Sequence, residues 1–114
     1  MPDTIDRTIF SELQDSACAD FVVELVNTFF EEAPQMIGDL RSALAAGDAE
    51  RFRRAAHSLK SNGSTFGATA FAAMARELEL GGLASVAGRG DERLEALEGE
   101  YARVLAALKA LRHA

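Results

Sequence analysis

The sequence predicts an all-α protein, an antiparallel up-down four-helix bundle with a short extra helix at the N-terminus. Two observations predict this fold. Apolar residues recur at helical spacing along four long segments, and no segment shows the strict alternation that is typical of a strand. The turns between the segments are short, and short connections make consecutive helices antiparallel. With 114 residues, the chain suits one domain, 1–114, with a single hydrophobic core.

The first half of the chain predicts a short helix followed by a long one. Asp6 can cap the short helix, Asp15 and Ser16 end it, and its apolar residues are Ile9, Phe10 and Leu13. The long helix begins at about residue 18 and keeps one apolar face for about seven turns. This face comprises Phe21, Val22, Leu25, Val26, Phe29, Phe30, Met36, Ile37, Leu40 and Leu44. Pro34 interrupts the pattern, and because proline is tolerated best in a first turn, we expect a kink or a restart near Ala33.

A third helix is expected over about 49–65. Gly47 can end the preceding helix, Asp48 can cap this one, and Gly67 can end it. It carries His57.

The last part of the chain predicts two more helices with a loop between them. The fourth helix begins at Ala68 or Thr69, and its buried face comprises Phe71, Met74, Ala75 and Leu78. A flexible loop is expected around four glycines, Gly81, Gly82, Gly88 and Gly90. Asp91 can cap the last helix, whose apolar residues are Leu94, Leu97, Tyr101, Val104, Leu105, Leu108 and Leu111.

The composition excludes several classes of protein. A net charge of −6 argues against a nucleic-acid partner, and no apolar run approaches the roughly 20 residues that a membrane span needs. The N-terminus lacks a basic region followed by an apolar stretch, so no signal peptide is expected. Cys18 is the one cysteine, which excludes an internal disulfide and a cysteine-built metal site. We therefore expect a cytoplasmic, monomeric protein.

The third helix places His57 on a polar face. At 100° per residue, six polar residues fall within about 60° of it: Glu50, Arg53, Arg54, Lys60, Ser61 and Ser64. The opposite side of the helix carries Phe52, Ala55, Leu59 and Phe66. Four cations lie within ten residues and form what we call the basic cluster: Arg51, Arg53, Arg54 and Lys60. In an acidic protein, such a cluster around one presented histidine indicates an anionic partner or group.

An exposed imidazole at this position suits phosphorus chemistry. At neutral pH the ring is mostly uncharged and keeps a nitrogen lone pair, which makes it a nucleophile toward phosphorus without a general base. Lys60, one turn away, can place its ammonium against the oxygens of a phosphoryl group. Arg53 and Arg54 raise the local potential. Ser61 and Ser64 are small enough to let a partner approach, and their hydroxyls can donate to phosphoryl oxygens.

These residues resemble the signature of histidine phosphotransfer (HPt) domains. The chain reads His57-Ser-Leu-Lys60-Ser61-Asn62-Gly63 and continues to Phe66-Gly67-Ala68, where the family commonly has His-x-Leu-Lys-Gly-Ser and a later Gly-Ala. Similar stretches flank this motif: Phe29-Phe30-Glu31-Glu32-Ala33-Pro34, Leu40-Arg-Ser-Ala-Leu44, Gly47-Asp48 and Ala75-Arg-Glu-Leu78-Glu79. The resemblance covers about residues 9–112. One departure is Ser61, where the family usually has glycine.

The resemblance implies a stoichiometric phosphocarrier of a two-component phosphorelay. His57 would accept a phosphoryl group from a receiver-domain aspartate, or from a sensor or hybrid histidine kinase, and pass it to the receiver domain of a response regulator. Lys60 would stabilise the phosphoryl charge, and Arg53, Arg54, Ser61 and Ser64 would contact the partner. Magnesium belongs to the receiver, so no cofactor or metal is expected on this chain. It lacks the nucleotide-binding module of a kinase and is therefore not expected to be an enzyme.

Three alternatives stay open. An enzyme needs a second catalytic group that orients His57, and Glu50, two turns away, is the one acid on that helix face. A metal or haem site needs a second ligand, for which His113 and the remote Cys18 are the candidates. The third alternative is a degenerate, non-phosphorylated helical module that only binds other proteins.

Overall fold

The computed structural model describes residues 4–16, 18–86 and 92–111, and this part of the chain is helical, with no strand. It contains five α-helices, which we label α1 Arg7–Ser16, α2 Ala19–Ala46, α3 Ala49–Thr65, α4 Thr69–Gly81 and α5 Glu92–Leu111. A single turn of 3-10 helix, Leu83–Ser85, follows α4. The predicted all-α class is confirmed, with four long helices and a short one at the expected places.

The hydrophobic core lies between the four long helices. α3 packs against α2 on one side and α4 on the other, while α5 contacts both α2 and α4. Contacts run in opposite order along α2 and α3, since Phe29 meets Phe66 and Met36 meets Asn62. Side chains with no exposed surface come from four helices and include Leu40, Phe52, Leu59, Phe71, Leu94 and Leu108. Burial of these apolar faces is the main force that holds the bundle together.

The turn between α2 and α3 follows the prediction closely. Gly47 adopts the left-handed conformation, with φ of 70°, and its N–H donates to the carbonyls of Ala43 and Leu44. Asp48 accepts a hydrogen bond from the backbone N–H of Arg51 through its side chain, which satisfies one of the free donors in the first turn of α3.

Of the kink or restart predicted near Ala33, the restart is wrong. α2 is continuous from Ala19 to Ala46 and contains Pro34 in its interior. Buried residues on both sides of the proline, Phe29, Ala33 and Ile37, keep the helix against the core. Packing of this apolar face outweighs the hydrogen bond that proline cannot donate.

The N-terminal helix is attached to the turn between α3 and α4. The Asp6 side chain caps α1 by accepting from the N–H groups of Thr8 and Ile9. The backbone N–H of Asp6 donates to the carbonyl of Gly67 at 2.8 Å, and Gly67 has φ of 78°. A Cβ at Gly67 would lie 2.8 Å from the Asp6 carbonyl oxygen, so only glycine fits this approach.

The segment after α4 stays against the core for longer than its glycines suggested. Gly81 is the last residue of α4 and Gly82 has φ of 66°, but Val86 is fully buried. Gly88, Gly90 and Asp91 lie outside the described residues, as does His113.

Candidate functional site

His57 lies near the middle of α3 and faces outward. Its side chain is 55% exposed, whereas the neighbouring Ala56 and the nearby Phe52 and Leu59 are buried. The predicted orientation of the α3 faces is therefore what the structure shows. The helix is fixed from behind by its apolar side, so the imidazole is carried on a rigid support.

A carboxylate from α4 holds one nitrogen of this ring. Nδ1 of His57 lies 2.7 Å from Oε2 of Glu79. The pKa of Glu79 is held below its ordinary value of 4.5, first by its hydrogen bond with Lys60 and second by the one with His57. Because an ionised carboxylate can only accept, Nδ1 of a neutral ring must carry the proton. The lone pair is then left on Nε2.

Lys60 shares the same carboxylate. Its Nζ lies 2.9 Å from Oε1 of Glu79, and its side chain is 29% exposed, while that of Glu79 is 15% exposed. Each oxygen of Glu79 thus has its own partner on α3. Lys60, predicted as a phosphoryl ligand, is one turn from His57 and is bound to Glu79.

The close approach of α3 and α4 makes these contacts possible. Gly63 is buried in the interface, where an added Cβ would lie 2.9 Å from Cδ1 of Phe71 and 3.3 Å from the backbone of Ala72. The absence of a side chain at Gly63 lets the two backbones approach, which brings Glu79 within reach of His57 and Lys60.

The sequence-based search for an acid beside His57 was therefore wrong. It considered the face of α3 alone, where Glu50 is the one acid, and missed Glu79, which lies 22 residues away in the chain. The available signal was Gly63, a glycine in a helix, whose missing side chain can allow a neighbouring helix to approach closely, combined with an acidic residue about one helix later. Glu50 instead binds Arg53 at 3.0 Å and Arg54 at 3.3 Å.

The basic cluster carries less free charge than its sequence indicated. Arg51 binds Asp39 of α2 at 2.7 Å, and Arg53 and Arg54 share Glu50, whose pKa they lower. With Lys60 bound to Glu79, the four cations of the cluster face three acids and leave one net positive charge. The arginine pairs are exposed, so they exchange partners at little cost.

The remaining predicted residues leave space around the ring. Ser61 and Ser64 are both exposed on α3, one turn and two turns after His57. The backbone carbonyl of Ser61 accepts from the hydroxyl of Thr65. Neither serine has a bulky side chain to prevent the approach of a partner.

No group of three His, Cys, Asp or Glu side chains is arranged to hold a metal ion within the described ranges. Cys18 is exposed at the start of α2. No helix among the described residues has the length and apolar character that crossing a membrane requires.

Fold and site define a helical bundle that presents one imidazole, oriented by a carboxylate from a neighbouring helix. A sequence model of the Hpt domain matches residues 24–114. The chain belongs to the Hpt domain family and is a histidine phosphotransfer protein. Its structure is similar to the crystal structure of histidine-containing phosphotransfer protein B (HptB) from Pseudomonas aeruginosa PAO1, with a TM-score of 0.87 and 30% sequence identity over 99% of this chain and 97% of that one. Comparison with curated protein sequences gave no match.

Proposed function

We propose that this chain is a phosphocarrier of a two-component phosphorelay, with His57 as the residue that is phosphorylated. It would take the phosphoryl group from a receiver-domain aspartate, or from a sensor or hybrid histidine kinase, and pass it to the aspartate of another receiver. The observation that carries this proposal is the hydrogen bond between Nδ1 of His57 and Glu79, because it assigns the proton to Nδ1 and the lone pair to the other nitrogen.

The transfer step needs no proton to leave the ring. The lone pair of Nε2 attacks phosphorus, and the bond from phosphorus to the aspartyl oxygen breaks. The aspartate departs as a carboxylate with the electron pair. The proton stays on Nδ1, so the phosphorylated ring carries a positive charge that the adjacent Glu79 carboxylate compensates. Onward transfer to a second aspartate is the same step in reverse.

Lys60 would change partner during this cycle. In the free protein its ammonium is bound to Oε1 of Glu79. A phosphoryl group on Nε2 brings further anionic oxygens to the surface of α3 within one helical turn of Lys60. The ammonium can then bind these oxygens, or share itself between them and Glu79, because a lysine is a flexible point charge.

The other predicted residues would serve the partner. Arg53 and Arg54 lie beside His57 and can turn from Glu50 toward acidic groups of a receiver. Ser61 and Ser64 would form the small-residue surface that the receiver approaches. Magnesium would be supplied by the receiver, so the chain would need no cofactor of its own and would act as a stoichiometric carrier without an ATP site. We further propose a cytoplasmic monomer in which the four long helices run alternately up and down.

Phosphoryl transfer from a set of phosphorylated receiver domains tests this proposal. Labelled donors are mixed with the wild type, His57→Gln and His113→Gln, the last being a matched control because the chain has two histidines. We expect acid-labile label on the wild type and His113→Gln, and none on His57→Gln. No label from any donor would contradict the proposal and favour a degenerate binding module. Label on His57→Gln would assign the reaction to another residue.

A further inference from the structure

The most exposed large apolar side chain of the described residues lies next to the residue that holds the histidine. Leu80 is 72% exposed and directly follows Glu79 on α4. At 100° per residue, Leu80 stands about 100° from Glu79 on the side away from the core, because Ala75 and Leu78 occupy the other side. The leucine therefore lies on the outer surface of α4, at the level of His57.

An arginine without a salt bridge accompanies this leucine. Arg76 lies one turn before Leu80 and about 60° from Glu79, again on the side away from the core. Within α3 and α4, both described over their full length, the other four cations all form ion pairs, and these are the members of the basic cluster. Arg76 is exposed and has no such partner among the described residues. It is thus the one arginine or lysine of these two helices that holds no acid, and it lies one turn from Glu79, which binds His57.

Resting on the proposed function, we propose that Arg76 and Leu80 form the α4 side of the surface that docks the receiver domain. Leu80 is an apolar anchor, and Arg76 pairs with acidic side chains of the partner next to its phosphorylated aspartate. The charge of Arg76 favours a receiver domain over a second copy of this chain as the protein that binds this surface. The site where a receiver holds an aspartyl phosphate is anionic and attracts a free guanidinium, whereas a second copy of this chain has a net charge of −6 and is repelled.

The small size of this surface agrees with a carrier's task. One leucine and one arginine on a single helix face make a contact that releases quickly, as a protein that meets two partners in succession requires. The location also predicts that Arg76 contributes more to docking than Arg53 or Arg54, since both of these are already bound to the carboxylate of Glu50.

Single-turnover transfer from a receiver that labels His57, measured against receiver concentration, tests the inference. The variants are Leu80→Ala and Arg76→Glu. Their controls are Phe21→Ala and Arg93→Glu. Phe21, 49% exposed, is the other exposed large apolar side chain of the described part and lies in the first turn of α2, about 25 Å along the bundle from the level of His57. Arg93 is an exposed arginine on α5, and Arg93→Glu changes the net charge by the same amount as Arg76→Glu.

We expect Leu80→Ala and Arg76→Glu each to raise the half-saturating receiver concentration by roughly tenfold without changing the maximal rate. For the two control variants, this concentration should stay within about twofold of the wild-type value. Equal behaviour of variants and controls would overturn the inference, as would a fall in maximal rate alone. A wild-type dimer that Leu80→Ala dissociates, seen by sedimentation, would overturn it by assigning the surface to a second copy.

If no receiver labels the wild type, the proposed function fails, and the docking surface is then tested separately. Binding of unphosphorylated receivers is followed by chemical-shift changes in the full chain. Binding that Leu80→Ala and Arg76→Glu weaken would support the docking surface. Binding that these variants leave intact, or no binding by any receiver, would contradict it.

Discussion

Glu79 on α4 lies 2.7 Å from Nδ1 of His57 on α3, and its other oxygen lies 2.9 Å from Nζ of Lys60. The protonated nitrogen of the histidine is thus specified by a different helix from the one that carries it. Because the two helices are fixed to each other by the core, the ring is held in one tautomer and one orientation before any partner arrives.

Replacing Glu79 tests this positioning role. We expect Glu79→Ala to slow transfer to His57 by roughly tenfold, because the ring loses the acceptor that keeps the proton on Nδ1. Glu79→Gln should fall between this variant and the wild type, since an amide can either accept from Nδ1–H or donate to Nδ1 and no longer fixes the tautomer. Rates are measured at saturating receiver, with Glu77→Gln as the control on the same helix.

A merely structural role for Glu79 gives a different result. Loss of the carboxylate would then change stability while the tautomer of His57 stayed that of the wild type. A positioning role requires the tautomer preference to weaken, because the carboxylate that accepts from Nδ1–H is gone. Imidazole ¹⁵N shifts of His57 report the tautomer directly and should differ between wild type and Glu79→Gln.

Stability should depend on pH through Glu79 with a definite sign. The pKa of this carboxyl is lowered in the folded protein by Lys60 and His57. Such a group contributes stability that is fully present above its unfolded pKa and is lost as the pH falls through the folded pKa. Urea unfolding of the wild type and Glu79→Gln across the acidic range should therefore show a difference in unfolding free energy that shrinks as the pH falls. A difference independent of pH would contradict this assignment.

The helices were predictable because each buried face recurs within one continuous segment. The periodicity around Phe29 and Leu40, and the caps at Gly47 and Asp48, needed no knowledge of other segments. The restart near Ala33 was mispredicted because local propensity was weighed without the core packing on both sides of Pro34. The geometry of the site is determined even more strongly by packing between helices that are distant in the sequence.

Contacts between helices account for what the sequence could not provide. The partner of Arg51 lies on α2, and the partner of His57 lies on α4. Both depend on how far the helices are apart and how each is rotated, which a single helical wheel does not contain. The predicted positive potential was too high for the same reason, since Asp39 and Glu79 are separated from the basic cluster in the chain but adjacent to it in space.

Gly67→Ala should detach α1 and destabilise the protein. The position has φ of 78°, and an added Cβ would lie 2.8 Å from the carbonyl oxygen of Asp6 and 3.1 Å from Cβ of Ile9. We expect a loss of about 1–3 kcal/mol in unfolding free energy from backbone strain and overpacking. Chemical denaturation measures it, and hydrogen exchange in α1 should rise.

Gly38→Ala is the matched control for that variant. Gly38 lies inside α2 with nothing within 4 Å of an added Cβ, so alanine should stabilise the helix by about 0.5–1 kcal/mol. A decrease in unfolding free energy for Gly67→Ala and an increase for Gly38→Ala would confirm that the environment of Gly67, and not alanine itself, causes the loss of stability. Equal effects would contradict the role of the Asp6–Gly67 contact.

Gly63→Ala connects packing to the site. An added Cβ would lie 2.9 Å from Cδ1 of the fully buried Phe71, and the backbone of Ala72 is 3.3 Å away, so α4 must shift away from α3. We expect a net loss of about 1–2 kcal/mol, because overpacking outweighs the gain in helix propensity. The shift should also lengthen the contact between Glu79 and His57, so that transfer slows and the ¹⁵N shifts of His57 move toward those of Glu79→Ala. A destabilised protein with unchanged His57 shifts would show that the spacing set at Gly63 does not control the site.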